Sequence, residues 1–138
     1  MKNIFHTTVE PKMQTVSTDG EWMYILGHGW HSKLNGRLHN SLGPAVILDS
    51  GYKAWYVDGK LHRLDGPAAV CTDGQKEWRV NGKLHRLDGP AFECADGYKE
   101  RWVDGFWASE EDFALAVISF LLGVNKKTAK IIEREMKK

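Results

Sequence analysis

Residues 59–68 read GKLHRLDGPA, residues 82–91 read GKLHRLDGPA again, and residues 36–45 read GRLHNSLGPA. Gly36, Gly59, Gly82 and Gly105 therefore recur at a step of 23 residues. The same step relates Gly51, Gly74 and Gly97, then Lys53, Lys76 and Lys99, and then Val57, Val80 and Val103. A fixed period of this size is the signature of a repeat architecture, in which each unit buries its apolar surface on its neighbours.

Every unit carries two turn signals. One is Asp58-Gly59, Asn81-Gly82 or Asp104-Gly105; the other is Ser50-Gly51, Asp73-Gly74 or Asp96-Gly97. Asn-Gly and Asp-Gly favour two-residue type I′ turns, because both central residues take positive φ. Between the turns lie KAWYV, QKEWRV and KLHR, runs whose Trp, Tyr and Val content reads as strand. The expected fold is mainly β: an antiparallel meander of repeated β-hairpins forming a single-layer sheet, followed by a C-terminal helical segment. Pro67 and Pro90, lacking an N–H, belong where no ladder bond is required.

A two-residue loop at Asn81-Gly82 pairs Val80 with Lys83, Arg79 with Leu84, Trp78 with His85 and Glu77 with Arg86. A similar loop at Asp73-Gly74 pairs Ala69 with Trp78. Opposed residues share a face, so Trp78, Val80, Ala69, Cys71 and His85 are expected on one side. Glu77, Arg79 and Arg86 fall on the other. In the next unit the Trp position is Arg101, which marks a change in what covers the sheet. The pattern divides the chain into an N-terminal segment with degenerate strands (1–28), the repeat sheet (29–108) and C-terminal helices (109–138).

These residues resemble the MORN-repeat family in a variant form, W-x-V-[N/D]-G-K-L-H-R-x-D-G-P-A. The resemblance is carried by Trp55, Asp58, Gly59, His62, Gly66 and Pro67, and by Trp78, Asn81, Gly82, His85, Gly89 and Pro90. It spans roughly residues 29–108. Where the usual family pattern has Gly soon after the His, this chain has Arg63 and Arg86, so it is similar to a divergent subfamily found in large bacteriophages and giant viruses. The resemblance implies an elongated sheet that scaffolds protein partners or touches membranes, without catalytic residues.

The formal net charge of +1 gives no global field toward nucleic acid. The segment MKNIFHTTVEPKMQ lacks a long apolar stretch, so no leader is expected. The longest apolar run, 113–122, reaches roughly 15 Å as a helix, too short for a bilayer core of about 30 Å. A cytoplasmic setting follows as the expectation, the host cytoplasm if the chain is viral.

His39, His62 and His85 recur at the repeat step. Two strands at about 4.8 Å each separate equivalent positions, so these side chains stand roughly 10 Å apart. Zinc holds its nitrogen ligands at about 2.0–2.1 Å, so one ion is not shared among them. The same spacing forbids a Cys71–Cys94 disulfide, and free thiols fit a reducing compartment. His28 and His31 form a weak metal pattern. No cofactor and no metal site are expected.

Arg63 with Asp65 and Arg86 with Asp88 also repeat. They either brace the Leu-Asp-Gly-Pro corner by local hydrogen bonds or, with Lys60 and Lys83, contact an anionic group. Tyr56 and Trp102, on the face opposite Trp55 and Trp78, are candidate partner contacts. Ser109 followed by Glu110, Glu111 and Asp112 reads as a helix start. The apolar run after it calls for burial on most sides, which one sheet face cannot give. A homo-oligomer or a second protein surface is therefore expected there. A further helix runs from Asn125 to Lys138 with Ile131, Ile132 and Met136 inward and a basic surplus.

The function expected from these features is a non-enzymatic protein-interaction module, a phage or viral accessory protein that binds a host factor. Small-molecule or nucleotide sequestration is the first alternative. A scaffold touching membrane or nucleic acid through the basic helix is the second.

Overall fold

The computed structural model describes residues 16–138; the first 15 residues, including the whole segment expected to carry no leader, lie outside this description. The strands, all antiparallel to their neighbours, are β1 (Glu21–Ile25), β2 (Gly29–Leu34), β3 (Arg37–Leu38), β4 (Val46–Leu48), β5 (Lys53–Ala54), β6 (Tyr56–Val57) and β7 (Lys60–Leu61). They continue with β8 (Ala69–Val70), β9 (Lys76–Glu77), β10 (Arg79–Val80), β11 (Lys83–Leu84), β12 (Phe92–Glu93), β13 (Lys99–Val103) and β14 (Phe106–Ala108). Helices α1 (Phe113–Leu122) and α2 (Lys126–Met136) close the chain. The main sheet runs β1-β2-β4-β5-β8-β9-β12-β13-β14, with β3 beside β2. The pairs β6–β7 and β10–β11 form two short sheets. The fold is thus the expected antiparallel meander of hairpins with helices at its end.

The tryptophans mark where each strand changes partner. The Trp78 amide donates to the Ala91 carbonyl, while the Trp78 carbonyl accepts from the His85 amide. Trp55 does the same between Ala68 and His62. KAWYV and QKEWRV are therefore each split in two: the first half (β5, β9) pairs on both sides within the main sheet, and the second (β6, β10) pairs with the strand after its own turn (β7, β11). Ala45, Ala68 and Ala91, fully buried at these crossings, leave room for the neighbouring backbone.

Successive hairpins are tied at the same step. The Gly59, Gly82 and Gly105 amides donate to the Leu38, Leu61 and Leu84 carbonyls. Asp58, Asn81 and Asp104 take positive φ, as the type I′ turn requires and as Asp and Asn tolerate.

The Asn81-Gly82 register holds for Val80 with Lys83 and Arg79 with Leu84. The other turn departs from expectation. Ala69 pairs with Glu77 and Val70 with Lys76, and Cys71 accepts from Gly74 while donating to Gln75. The loop is the three-residue Thr72-Asp73-Gly74, with Gly74 at φ 95°, a longer turn than the two-residue form expected. A one-residue slip exchanges faces. Ala69 and Cys71 therefore join Glu77 and Arg79, and Val70 joins Trp78. Glu77 does not pair with Arg86, whose amide donates to Trp102 of the next unit.

The helical end also departs from expectation. The Ser109 hydroxyl accepts from the Asp112 amide, capping a turn that precedes α1, which itself begins at Phe113. Among the described residues α1 contributes no buried side chain, and Leu121 and Leu122 are 61% and 57% exposed. In α2 only Ala129 is buried, while Ile131 and Met136 face outward rather than inward. The hairpin of helices packs on itself, on β13 and, through Phe120, on His85, and Leu121, Leu122, Ile131 and Met136 remain uncovered.

Candidate functional site: a face of repeated grooves

Each Leu-Asp-Gly-Pro corner is held by its arginine. Arg63 donates from Nε to Asp65 at 2.9 Å and from Nη1 to the Pro67 carbonyl at 3.1 Å. Arg86 repeats this with Asp88 at 2.9 Å and Pro90 at 3.0 Å. The guanidinium of Arg63 lies 3.9 Å from the centre of the Trp55 ring, and that of Arg86 lies 4.1 Å from the centre of Trp78. On the far side sit Gly66 and Gly89; a Cβ there would meet the arginine Cζ at 2.9 and 3.1 Å. In the first unit Asn40 replaces arginine and donates to the Pro44 carbonyl at 2.9 Å. The Arg63 hydrogen bond holds the Asp65 carboxyl below its ordinary range. The bracing role of the Arg–Asp pairs is thus what the geometry displays.

The repeated histidines lock one unit to the next. Nδ1 of His39, His62 and His85 accepts the amide of Asp58, Asn81 and Asp104, at 3.0, 3.1 and 2.9 Å. An accepting Nδ1 places the proton of a neutral ring on Nε2. In His39 that Nε2–H points at Asp19, 3.1 Å away. Asp19 also accepts from the Ser41 hydroxyl and amide, which together with His39 lower its carboxyl to about 2.

These elements shape two equivalent troughs on the helix side of the sheet. One, of about 660 Å³, is lined by Leu42, Trp55, Val57, His62, Arg63 and Leu64. The next, of about 800 Å³, is lined by Leu64, Trp78, Val80, His85, Arg86 and Leu87. Phe120 of α1 closes the second and meets the His85 ring at a tilt of 55°, with ring centres 4.7 Å apart. Leu64, 80% exposed, is the ridge common to both, and Leu42, 63% exposed, is the outer wall of the first.

Of the candidate residues, Arg63 and Arg86 line these grooves. Lys60 and Lys83 stand instead on the edge formed by the hairpin turns. Tyr56 and Trp102 lie half-buried on the opposite face, and the Trp102 indole donates to Glu100 at 2.9 Å. Leu42 and Leu64 escaped the sequence reading. Their signal was a leucine repeated inside a polar corner, where no core is available to receive it.

No family model matches the chain, and no curated protein or solved structure matches it.

In the third unit Arg101 takes the Trp position. It binds Glu110 through Nε and Nη2 at 2.6 and 2.9 Å and lies 4.7 Å from the centre of the Phe113 ring. The repeat's cation–aromatic pair is thereby reversed, and it fastens the helical end to the sheet. His28 and His31 stack in parallel with centres 5.2 Å apart. Among the described residues no group of three His, Cys, Asp or Glu is placed to hold a metal ion. Cys71 and Cys94 are free thiols; burial pushes the Cys71 thiol up, away from nucleophilic character.

Proposed function

We propose that this chain is a non-enzymatic protein-interaction module that seats a polypeptide partner across the two grooves. The observation that carries this reading is the exposed Leu64 ridge between two equivalent grooves. Both grooves are open to solvent along their length. A small molecule is normally enclosed over 70–90% of its surface, which an open trough does not provide. A polypeptide fits better, because a segment in the polyproline II conformation presents every third side chain on one face at about 9 Å, close to the roughly 10 Å spacing of the repeat.

The chemistry of the partner follows from the lining. Apolar side chains would rest on Trp55, Trp78, Val57 and Val80. Nη2 of Arg63 and of Arg86 carries no hydrogen bond among the described residues and can receive a carboxylate. The flanking Asp65 and Asp88, 86% and 84% exposed at the side chain, disfavour an acidic run. An apolar segment with isolated carboxylates therefore suits the face.

The resemblance to divergent MORN repeats supports the same reading and points to a viral accessory protein acting on a host protein. Native mass spectrometry of the full chain isolated from its own cell tests it. A stoichiometric protein adduct that is lost in Leu64→Glu is the expected result. A retained small-molecule mass would favour sequestration instead.

A further inference from the structure

Among the described residues, Phe120 is the only one lining either groove that does not come from the repeat. The other lining residues of the second groove lie between positions 63 and 88, and all those of the first lie between 40 and 65. Helix α1 sends the Phe120 ring against His85, at 4.7 Å between centres and a tilt of 55°. Leu121 and Leu122, next in the chain, stay exposed. The same ring also borders a smaller recess with Phe106.

The first groove is built to the same plan. Trp55, Val57 and His62 stand 23 residues before Trp78, Val80 and His85. Both histidine rings are fixed in one way, with Nδ1 accepting the amide of Asn81 at 3.1 Å or of Asp104 at 2.9 Å. Both indoles carry a guanidinium, at 3.9 and 4.1 Å from the ring centre. An imidazole held by the same bond beside the same indole offers the same surface to a ring, and tilted contacts are a preferred aromatic geometry. Among the described residues, however, no side chain from outside the repeat stands against His62. The seat that Phe120 fills in the second groove is open in the first.

We infer that the first groove is the anchor site for an aromatic side chain of the partner, and that Phe120 is the chain's own counterpart of that anchor. This rests on the reading that the grooves seat a polypeptide, and it adds the residue by which that polypeptide is held. The grooves lie roughly 10 Å apart, and a polyproline II segment places every third residue at about 9 Å. The partner segment therefore carries Phe, Tyr or Trp in the first groove. Three positions away it carries a smaller apolar side chain for the second groove, which Phe120 already narrows. An aliphatic anchor would be buried as well, but it lacks the ring contact with His62, worth roughly two- to tenfold in occupancy.

Disulfide tethering in the full chain tests the anchor without the partner. Cys71 and Cys94 are replaced by alanine, and Leu42→Cys places a thiol on the outer wall of the first groove. The protein is equilibrated with equal amounts of phenylethyl and cyclohexylethyl disulfide probes in 2-mercaptoethanol, and the adducts are weighed by mass spectrometry. The probes are alike in shape, and only the first has a π-system. The control is Thr72→Cys, at an exposed position in the loop of the opposite edge. The phenylethyl adduct at position 42 should be favoured by roughly two- to tenfold over the ratio found at position 72. His62→Asn keeps an acceptor for the Asn81 amide and removes the ring, so it should abolish the preference. If that variant alters the circular dichroism spectrum, the comparison of positions 42 and 72 decides. Equal ratios at the two positions would overturn the inference, even where a partner protein is captured. An aromatic preference at position 42 with no captured protein would uphold the ring site and remove the polypeptide reading.

Discussion

The Arg86 guanidinium is clamped between the Trp78 ring, 4.1 Å from its centre, and the bare Cα of Gly89, where a Cβ would come within 3.1 Å. The clamp defines the groove floor, because it fixes the Trp ring and the corner that carries Leu87 together. A methyl group at Gly89 makes the guanidinium give by a few tenths of an ångström, which its bonds to Asp88 and Pro90 and the Trp78 ring beneath it resist. Gly89→Ala should therefore destabilise the chain by about 1–3 kcal/mol, and Gly66→Ala, tighter at 2.9 Å, by at least as much. Arg86→Lys keeps the charge but loses the planar stack and the two-pronged bonding, and should cost about 1–2 kcal/mol. Urea denaturation monitored by Trp fluorescence measures all three.

Protonation at the unit-to-unit lock should weaken the sheet. His85 accepts the Asp104 amide through Nδ1, which a protonated ring cannot do. Its burial among apolar neighbours holds it below the ordinary value of 6.5. A histidine depressed in the fold contributes stability that is complete above pH 6.5 and is lost as pH falls below it. Stability should thus decline from pH 7 toward pH 5. His31, also pushed down by burial, contributes in the same direction. His85→Asn, which preserves an acceptor without titrating, should flatten this slope while retaining most of the stability at pH 7.5. His85→Ala should lose about 1–3 kcal/mol there by stranding the amide. Denaturant midpoints across the pH range read both effects.

A separate acid transition belongs to Asp19. The hydroxyl of Ser41 is the largest influence holding this carboxyl at about 2, below its ordinary 3.8. A depressed carboxylate stabilises the fold above its unfolded value and ceases to do so as pH falls through the folded one. The loss should lie between about pH 4 and 2, and Asp19→Asn should remove that part of the acid denaturation curve.

The period, the positions of both turns and the two-residue form of the Asn81-Gly82 turn were legible from residues 36–105, and they gave the meander and the hairpin order. Register on the Asp73-Gly74 side was not. A glycine after Asp serves a two-residue or a three-residue loop, and only the ladder distinguishes them. The strand break at Trp55 and Trp78 is likewise a tertiary choice: the run of β-formers is continuous, but its hydrogen bonds divide between two partners. Arg63 and Arg86 were visible as repeated cations, and local bracing was one of the two roles set out for them. Their stacking on the tryptophans eight residues upstream depends on the fold bringing the corner back over the strand. The histidines were visible too, but their partner, an amide nineteen residues onward, is fixed only when hairpins stack.

The fastening of the helices should be separable from the sheet. Arg101 holds Glu110 and covers Phe113, and Glu110 is exposed to solvent, so the pair adds little to global stability. Arg101→Ala should leave the sheet's unfolding midpoint nearly unchanged. It should speed proteolytic cleavage between 109 and 125, because local opening of the helical end no longer breaks that contact. Limited proteolysis followed by mass analysis of the fragments checks this.

In the proposed function the partner lies across the Leu64 ridge. Photo-crosslinking residues placed singly at Leu42, Leu64 and, on the opposite edge, Asp73 test it directly in the cell that makes the chain. Positions 42 and 64 should capture the same protein, Asp73 should not, and Arg63→Glu should abolish the capture. Equal crosslinking at all three positions, or capture at Asp73 alone, would contradict it.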